Sequence, residues 1–214
     1  MSKWKAAVRR PLTPTLKRLA AAAVCAALLA CFVAPVPGAE PTLKEETRAA
    51  REAGKAYMSD LLDALSRALQ QGGPALAISV CRHKAPAIAA EVSGKTGFEI
   101  RRTSLKPRNP ENEPDAWERS ILMKWQGMAG KGADFNRMEV SKISVRKGRR
   151  VFRYMKAIPV KPFCLQCHGS KLAPGVSSRL AALYPRDRAV GYKAGDLRGA
   201  LTITRDLGPA KNGG

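Results

Sequence analysis

The order in which two hydrophobic patterns follow each other constrains the fold of this chain most. Apolar side chains recur at helical spacing over residues 45–70, and Gly72-Gly73-Pro74 predicts the end of that helix and the start of another. A further helix is expected to begin at Pro114. Period-two alternation predicts strands over residues 98–104, 138–145, 151–160 and 197–204. Helices followed by an antiparallel sheet indicate an α+β domain.

The first 39 residues have the composition of an export signal. An apolar run over residues 19–34, too short to span a bilayer comfortably, follows six basic residues and no acid. Cleavage is expected after Ala39, and Cys31 offers an alternative lipoprotein anchor. We therefore expect residues 1–39 to be a signal peptide or an uncleaved anchor. Residues 40–214 are then one domain in the periplasm, either free or tethered to a membrane.

The charge of the chain indicates which class of partner it meets. Lys and Arg number 38 against 17 Asp and Glu, a formal net charge of +21, and the chain stays strongly basic without its first 39 residues. An exported domain meets no nucleic acid, so the charge favours an acidic redox partner or an anionic membrane surface. The alternative interpretation is that scattered Lys and Arg side chains only keep the domain soluble.

Beyond residue 39 the chain has three cysteines, Cys81, Cys164 and Cys167. An odd number in an oxidising compartment does not make a disulfide framework. Cys164 and Cys167 belong to Cys-Leu-Gln-Cys-His, a spacing that lets two thiols add to the two vinyl groups of one haem while His168 reaches the iron. The motif therefore predicts covalent haem c. A CxxC redox pair and a zinc site of Cys81, His83, Cys164 and Cys167 are the alternatives.

The residues leave three candidates for the second axial ligand open. Cys81 lies on an apolar helix face, His83 follows two residues later, and Met155 lies in an alternating strand. Positive charge would stabilise both a thiolate and the haem propionates. The candidates for the propionates are Arg102, Lys106 and Arg108.

The expected activity is electron transfer or redox or gas sensing rather than catalysis. Asp115 and Glu118 are acids in the first turn of a helix, where the helix dipole stabilises them, so we interpret them as structural. The chain has only one histidine, His83, besides the motif histidine. Few side chains are therefore available as a general acid or base for proton-coupled chemistry. The alternative is a haem enzyme, such as a peroxidase or a nitrogen-oxide reductase, with an open position opposite His168.

Four blocks of the sequence carry a resemblance to a known family. They are VCRHKAPAIAAEVSG (80–94), IRRTSLKPRNPENEPDAWE (100–118), YMKAIPVKPFCLQCHGS (154–170) and YPRDRAVGYKAGDLRGALTI (184–203). The chain resembles the c-type haem family of exported, PAS-like sensory domains, found alone or ahead of kinase and chemoreceptor modules. The resemblance implies a PAS-like fold, haem c, and Cys81 as the second axial ligand. Because the last block lies close to residue 214, we expect a signal to leave by electron transfer or through a separate partner protein.

Overall fold

The computed structural model of this protein describes residues 40–129 and 131–210. The predicted signal segment 1–39, with Cys31, lies outside these residues. The described part joins one long N-terminal helix to a four-stranded antiparallel sheet, which confirms the predicted α+β class. No helix among the described residues is both long enough and apolar enough to cross a membrane.

The first helix, α1 (Leu43–Thr96), is bent where the sequence predicts a break. Thr42 begins it with a capping box that includes Glu45. Gly72 and Gly73 have non-helical backbone angles, with φ 65° and ψ −165° at Gly73. They divide α1 into a first arm, residues 43–71, and a second arm, residues 74–96. The bend allows the two arms to point in different directions, so a space can open between them.

The remaining elements follow the predicted order. The strands are β1 (Glu99–Thr103), β2 (Glu139–Arg146), β3 (Arg149–Pro159) and β4 (Leu197–Pro209), in the order β1-β4-β3-β2. The shorter helices are α2 (Ala116–Gln126), α3 (Leu165–His168) and α4 (Pro174–Leu183), with 3-10 turns at Pro110–Asn112 and Pro162–Cys164. The β2–β3 hairpin turns at Lys147 and Gly148, which both have positive φ. This type of turn suits the right-handed twist of paired strands.

Alternation along the strands gives the sheet two different faces. One face packs against α1, and its buried side chains include Phe152, Tyr154, Leu201 and Ile203. The other face packs against α2 and includes Met155, Ala157 and Ala200. We call them the α1 face and the α2 face. Adjacent residues of β1 therefore lie on opposite faces, and this separates Arg102 from Arg101.

Candidate functional site

A cavity of about 500 Å³ lies beside the α1 face. Both arms of α1, β1 and the start of β4 contribute to its lining. Cys164, Cys167 and His168 all line it, and so do Cys81 from the second arm of α1 and Arg102 from β1. The fold thus brings the CxxCH motif and Cys81 to one cavity. The described cysteines are all free thiols.

The motif folds as a short helical corner after β3. Pro162 begins a 3-10 turn, and α3 continues it for about one turn as far as His168. Gly169 must follow, because a Cβ atom there would lie 2.7 Å from the carbonyl oxygen of Leu165. Cys167 packs against a cluster that includes Ile78 of the second arm of α1, so the motif and that arm are held together. Burial raises the pKa of the Cys167 thiol.

The His168 imidazole is held in one orientation and one tautomer. Its Nδ1 donates a hydrogen bond to the carbonyl oxygen of Ala189 at 2.7 Å, which leaves Nε2 as the nitrogen with a free lone pair. The Tyr192 ring meets the imidazole edge-on, with 6.3 Å between the ring centroids. Burial lowers the pKa of His168 to about 2, and the charges of Arg198 and Arg108 act in the same direction. The imidazole is therefore neutral, which is the form that binds a metal.

Arg108 braces the backbone around the motif. Its Nε donates to Asp187 Oδ2 at 3.0 Å, and its Nη2 donates to the carbonyl oxygens of Cys167 and Ala189. The guanidinium is buried, and it joins the motif to the loop whose carbonyl orients His168. Arg108 also lines the cavity. Its hydrogen bonds give it a structural role that the sequence did not reveal.

The other two predicted propionate candidates lie in different places. Arg102 lines the cavity beside Tyr57 and Cys81. Burial opposes its charge, but these neighbours outweigh burial and raise the pKa of Arg102. Lys106 is not a lining residue: its Nζ donates to the carbonyl oxygen of Val190 at 2.8 Å and lies 4.9 Å from the centroid of the Tyr192 ring.

Arg198 is a cationic lining residue that the sequence analysis did not identify. Its Nη1 donates to Ser104 Oγ at 2.9 Å, and the Ser104 hydroxyl donates back to the Arg198 carbonyl oxygen at 2.7 Å. Burial lowers the pKa of Arg198. An anionic group in the cavity would offset the cost of burying this charge and that of Arg102.

The alternative ligands from the sequence do not reach the cavity. His83 is exposed, and its Nδ1 lies 3.1 Å from the carbonyl oxygen of Ser79. Met155 is fully buried on the α2 face among Leu122 and Trp125. Within residues 40–129 and 131–210, no three His, Cys, Asp or Glu side chains come close enough to hold a metal ion. The four residues of the zinc alternative are therefore not brought together, although the three cysteines line one cavity; His83 lies outside it.

Asp115 and Glu118 occupy the positions expected of structural acids. Asp115 is the N-cap of α2, and the two residues form a capping box. Glu118 is fully buried on the α2 face, where it accepts hydrogen bonds from Arg101, Arg153 and the Thr202 hydroxyl. Neither residue lines the cavity.

Comparison with known families shows to which of them the chain belongs. Residues 39–205 match the model of the Tll0287-like family. The chain belongs to this family. The crystal structure of the cyanobacterial heme-protein Tll0287 is 21% identical, with a TM-score of 0.52 over 78% of this chain and 96% of that chain. At this identity, the likeness supports the fold alone. No curated protein matches the chain.

Proposed function

We propose that this protein is an exported c-type cytochrome with a single haem, which acts in electron transfer or in redox or gas sensing. One observation carries the proposal: the CxxCH motif and Cys81 line the same cavity, beside Arg102 and Arg198. The haem-protein name of the related cyanobacterial structure supports it further, and so does the resemblance of four sequence blocks to exported haem c sensory domains.

The cavity has properties that suit a haem. Its volume of about 500 Å³ falls within the range of about 300–1,000 Å³ that is common for cofactor sites. Much of its lining is apolar, as a porphyrin face requires, and includes Leu61, Leu65, Ile78, Ile100 and Ile158. Cys164 and Cys167 would hold the group by thioether bonds. When bound, the haem supplies one-electron redox chemistry.

The chain's own residues would set the properties of that group. Nε2 of His168 would bind the iron, oriented by the hydrogen bond from Nδ1 to Ala189. Cys81 would bind as the second axial ligand, and the Arg102 charge beside it complements the negative charge of a thiolate. Arg102 and Arg198 would pair with the propionates. Lys106, which lies outside the cavity lining, has no such role in this proposal.

The covalent part of the proposal is tested by denaturing electrophoresis. The protein is produced with its own first 39 residues in a host that matures c-type cytochromes, and the gel is stained for haem. We expect the stain to follow the polypeptide, and Cys164→Ser or Cys167→Ser to leave mostly apoprotein. Cys81→Ser is the matched control and should keep the stain. Extraction of the haem by acidified acetone from the parent protein would contradict covalent attachment.

The resting spin state separates this proposal from a haem enzyme. Two axial ligands from the protein give a low-spin ferric spectrum, whereas an open position opposite His168 gives a high-spin one. The chain has two histidines, and His83 lies outside the cavity, so no second imidazole is available there as an acid or base. We expect low-spin absorption. A high-spin resting spectrum would instead favour peroxidase or nitrogen-oxide chemistry.

A further inference from the structure

Five exposed basic side chains lie around the CxxCH motif. We define the motif corner as residues 160–173 and 186–196. Its exposed basic side chains are Lys161, Lys171, Arg186, Arg188 and Lys193. Its acids are Asp187, which pairs with Arg108, and Asp196, which accepts a hydrogen bond from the backbone N–H of Lys193. The corner therefore carries five exposed basic side chains against two acids, so its net charge is positive.

Backbone hydrogen bonds make the motif corner one continuous surface. The N–H groups of Gly191 and Tyr192 donate to the carbonyl oxygens of Gly169 and His168, each at 3.0 Å. On the other side, the N–H of Gly195 donates to the carbonyl oxygen of Val160 at 2.8 Å. Lys161, Lys171 and Lys193 each lie within two residues of one of these bonds. The three lysines therefore belong to neighbouring segments, although they are distant in sequence.

The charges of this surface are mostly uncompensated. Lys161, Lys171, Arg186 and Lys193 form no ion pair with any residue that the structure describes, whereas Arg188 pairs with Glu113 at 3.1 Å. Two apolar side chains lie exposed among them: Phe163, which is 46% exposed and also lines the cavity, and Val190, which is 37% exposed. Protein interfaces commonly combine exposed apolar side chains with a polar rim.

We propose that the motif corner binds an acidic one-electron redox protein. The proposal rests on the proposed function, because Phe163 is next to Cys164, where the haem would be attached. Docking here would bring a partner close to Cys164, which would hold the cofactor. One electron would then pass from the reduced partner, which is oxidised, to the ferric iron, which is reduced to the ferrous state, and no covalent bond would form or break. A membrane suits the corner less, since two exposed apolar side chains bury little area in a bilayer.

The test measures reduction of the haem-loaded ferric protein by reduced flavodoxin, an acidic one-electron donor, in a stopped-flow instrument. The triple variant K161E/K171E/K193E reverses the charge of the corner. The matched control K124E/K131E/K147E makes the same change in net charge at exposed lysines of α2, the segment after it and the β2–β3 turn. At low ionic strength we expect the corner variant to react about tenfold more slowly or worse, and the control within about twofold of the parent.

Salt and a neutral reductant complete the test. Added salt should slow the parent and the control variant but change the corner variant little, because it screens the attraction between charges. A small neutral reductant whose potential lies below that of the haem should reduce all three proteins at equal rates, which shows that the haem itself is unaltered. Absence of haem in the purified protein would refute the proposed function before any rate is measured.

Two results would overturn the docking surface while leaving the haem assignment intact. In the first, both triple variants slow to the same extent, which means that net charge acts without a local surface. In the second, the corner variant keeps the parental rate with flavodoxin but loses binding to vesicles of phosphatidylglycerol and phosphatidylcholine. That second result would assign the corner to an anionic membrane.

Discussion

Cys81 shows how a single residue acquires a role from the fold around it. On its own it is a cysteine on an apolar helix face, which is most often only a small core residue. In the structure it lines the same cavity as His168, beside Arg102, Tyr57 and Tyr184. His83, only two residues away, lies outside the cavity. The position on the helix, more than the type of side chain, therefore distinguishes the two candidate ligands.

Replacing Cys81 with Ala should leave the haem attached and change its iron coordination. We expect the thiolate charge-transfer band to disappear and the ferric protein to bind added cyanide or imidazole about tenfold more tightly or better, because no protein ligand then competes for the iron. Visible and near-infrared titrations measure both effects. His83→Ala is the matched control and should behave as the parent does. If Cys81→Ala keeps the parental spectrum and ligand affinity, Cys81 is a packing residue and not a ligand.

Glu118 is the buried charge on which the α2 face depends. Its carboxylate accepts hydrogen bonds from two arginines and a threonine, and 1% of its side chain is exposed. Glu118→Gln should lower the free energy of unfolding by about 1–3 kcal/mol, because the half-buried Arg101 loses its counter-charge and the buried Arg153 keeps only Asp115 as its counter-charge. Urea unfolding measures this. Glu91→Gln removes an exposed pair with Lys95 and should change little. If both substitutions lowered the free energy of unfolding equally, the claim that burial strengthens the Glu118 ion pairs would be wrong.

At the scale of elements, α1 is bent at Gly72 and Gly73, and both of its arms line the cavity, with Cys81 on the second arm. Gly73 adopts φ 65° and ψ −165°, a backbone conformation that is essentially limited to glycine. A Cβ atom at Gly73 would meet nothing within 4 Å, so any cost of a side chain there comes from the backbone alone. The bend therefore depends on the backbone freedom of Gly73 and not on side-chain packing around it.

Gly73→Ala should destabilise the protein by about 1–3 kcal/mol, the usual cost of forcing a side chain into such a conformation. Gly94 is also in α1, is helical, and likewise has open space around its Cβ position. Gly94→Ala should therefore stabilise the protein by about 0.5–1 kcal/mol through helix propensity. Denaturant unfolding should therefore show a lower free energy of unfolding for Gly73→Ala and a higher one for Gly94→Ala. A stabilising Gly73→Ala would show that the bend is not required.

Local patterns predicted most of these elements because their signals lie within a few residues. Gly72-Gly73-Pro74 marked the bend, and alternation located all four strands. The end of β4 was missed: it runs to Pro209 instead of residue 204, because pairing with β3 extends it beyond the alternating run. The structural role of Arg108 could not be predicted either, since its acceptors on Asp187 and Ala189 are distant in sequence. Arg198 was missed for the same reason, as its partner is Ser104.

Across the whole molecule, the sheet separates the cavity from a network of buried ion pairs. Its α1 face carries the cavity with the motif, while its α2 face carries a dense ion network around Glu118. The first arm of α1 is tied to the sheet by Glu139 of β2, which accepts hydrogen bonds from Arg51 and from the Tyr154 hydroxyl, the latter at 2.8 Å. This tie holds the first arm of α1 against the strands.

The Glu139 tie should make stability depend on pH on the acid side. The hydrogen bond from Arg51 is the main cause that holds the pKa of Glu139 below its usual 4.5. A lowered folded pKa contributes stability that is complete above pH 4.5 and is lost as the pH falls through the folded value. Glu139→Gln should therefore be less stable than the parent at pH 7, and the difference should shrink below pH 4.5. Urea unfolding between pH 7 and 3 measures this, with the exposed Glu52→Gln as control. A difference that stays constant with pH would contradict the assignment.

The central claim, that this chain carries one haem bound through Cys164 and Cys167, is tested most directly by the intact mass of the denatured protein. The purified protein should have the mass of its polypeptide plus one haem. Its alkaline pyridine spectrum should show an α band at shorter wavelength than that of haem b, because thioethers have replaced the vinyl groups. A denatured polypeptide with no added haem mass, or a pyridine spectrum of haem b, would contradict the account.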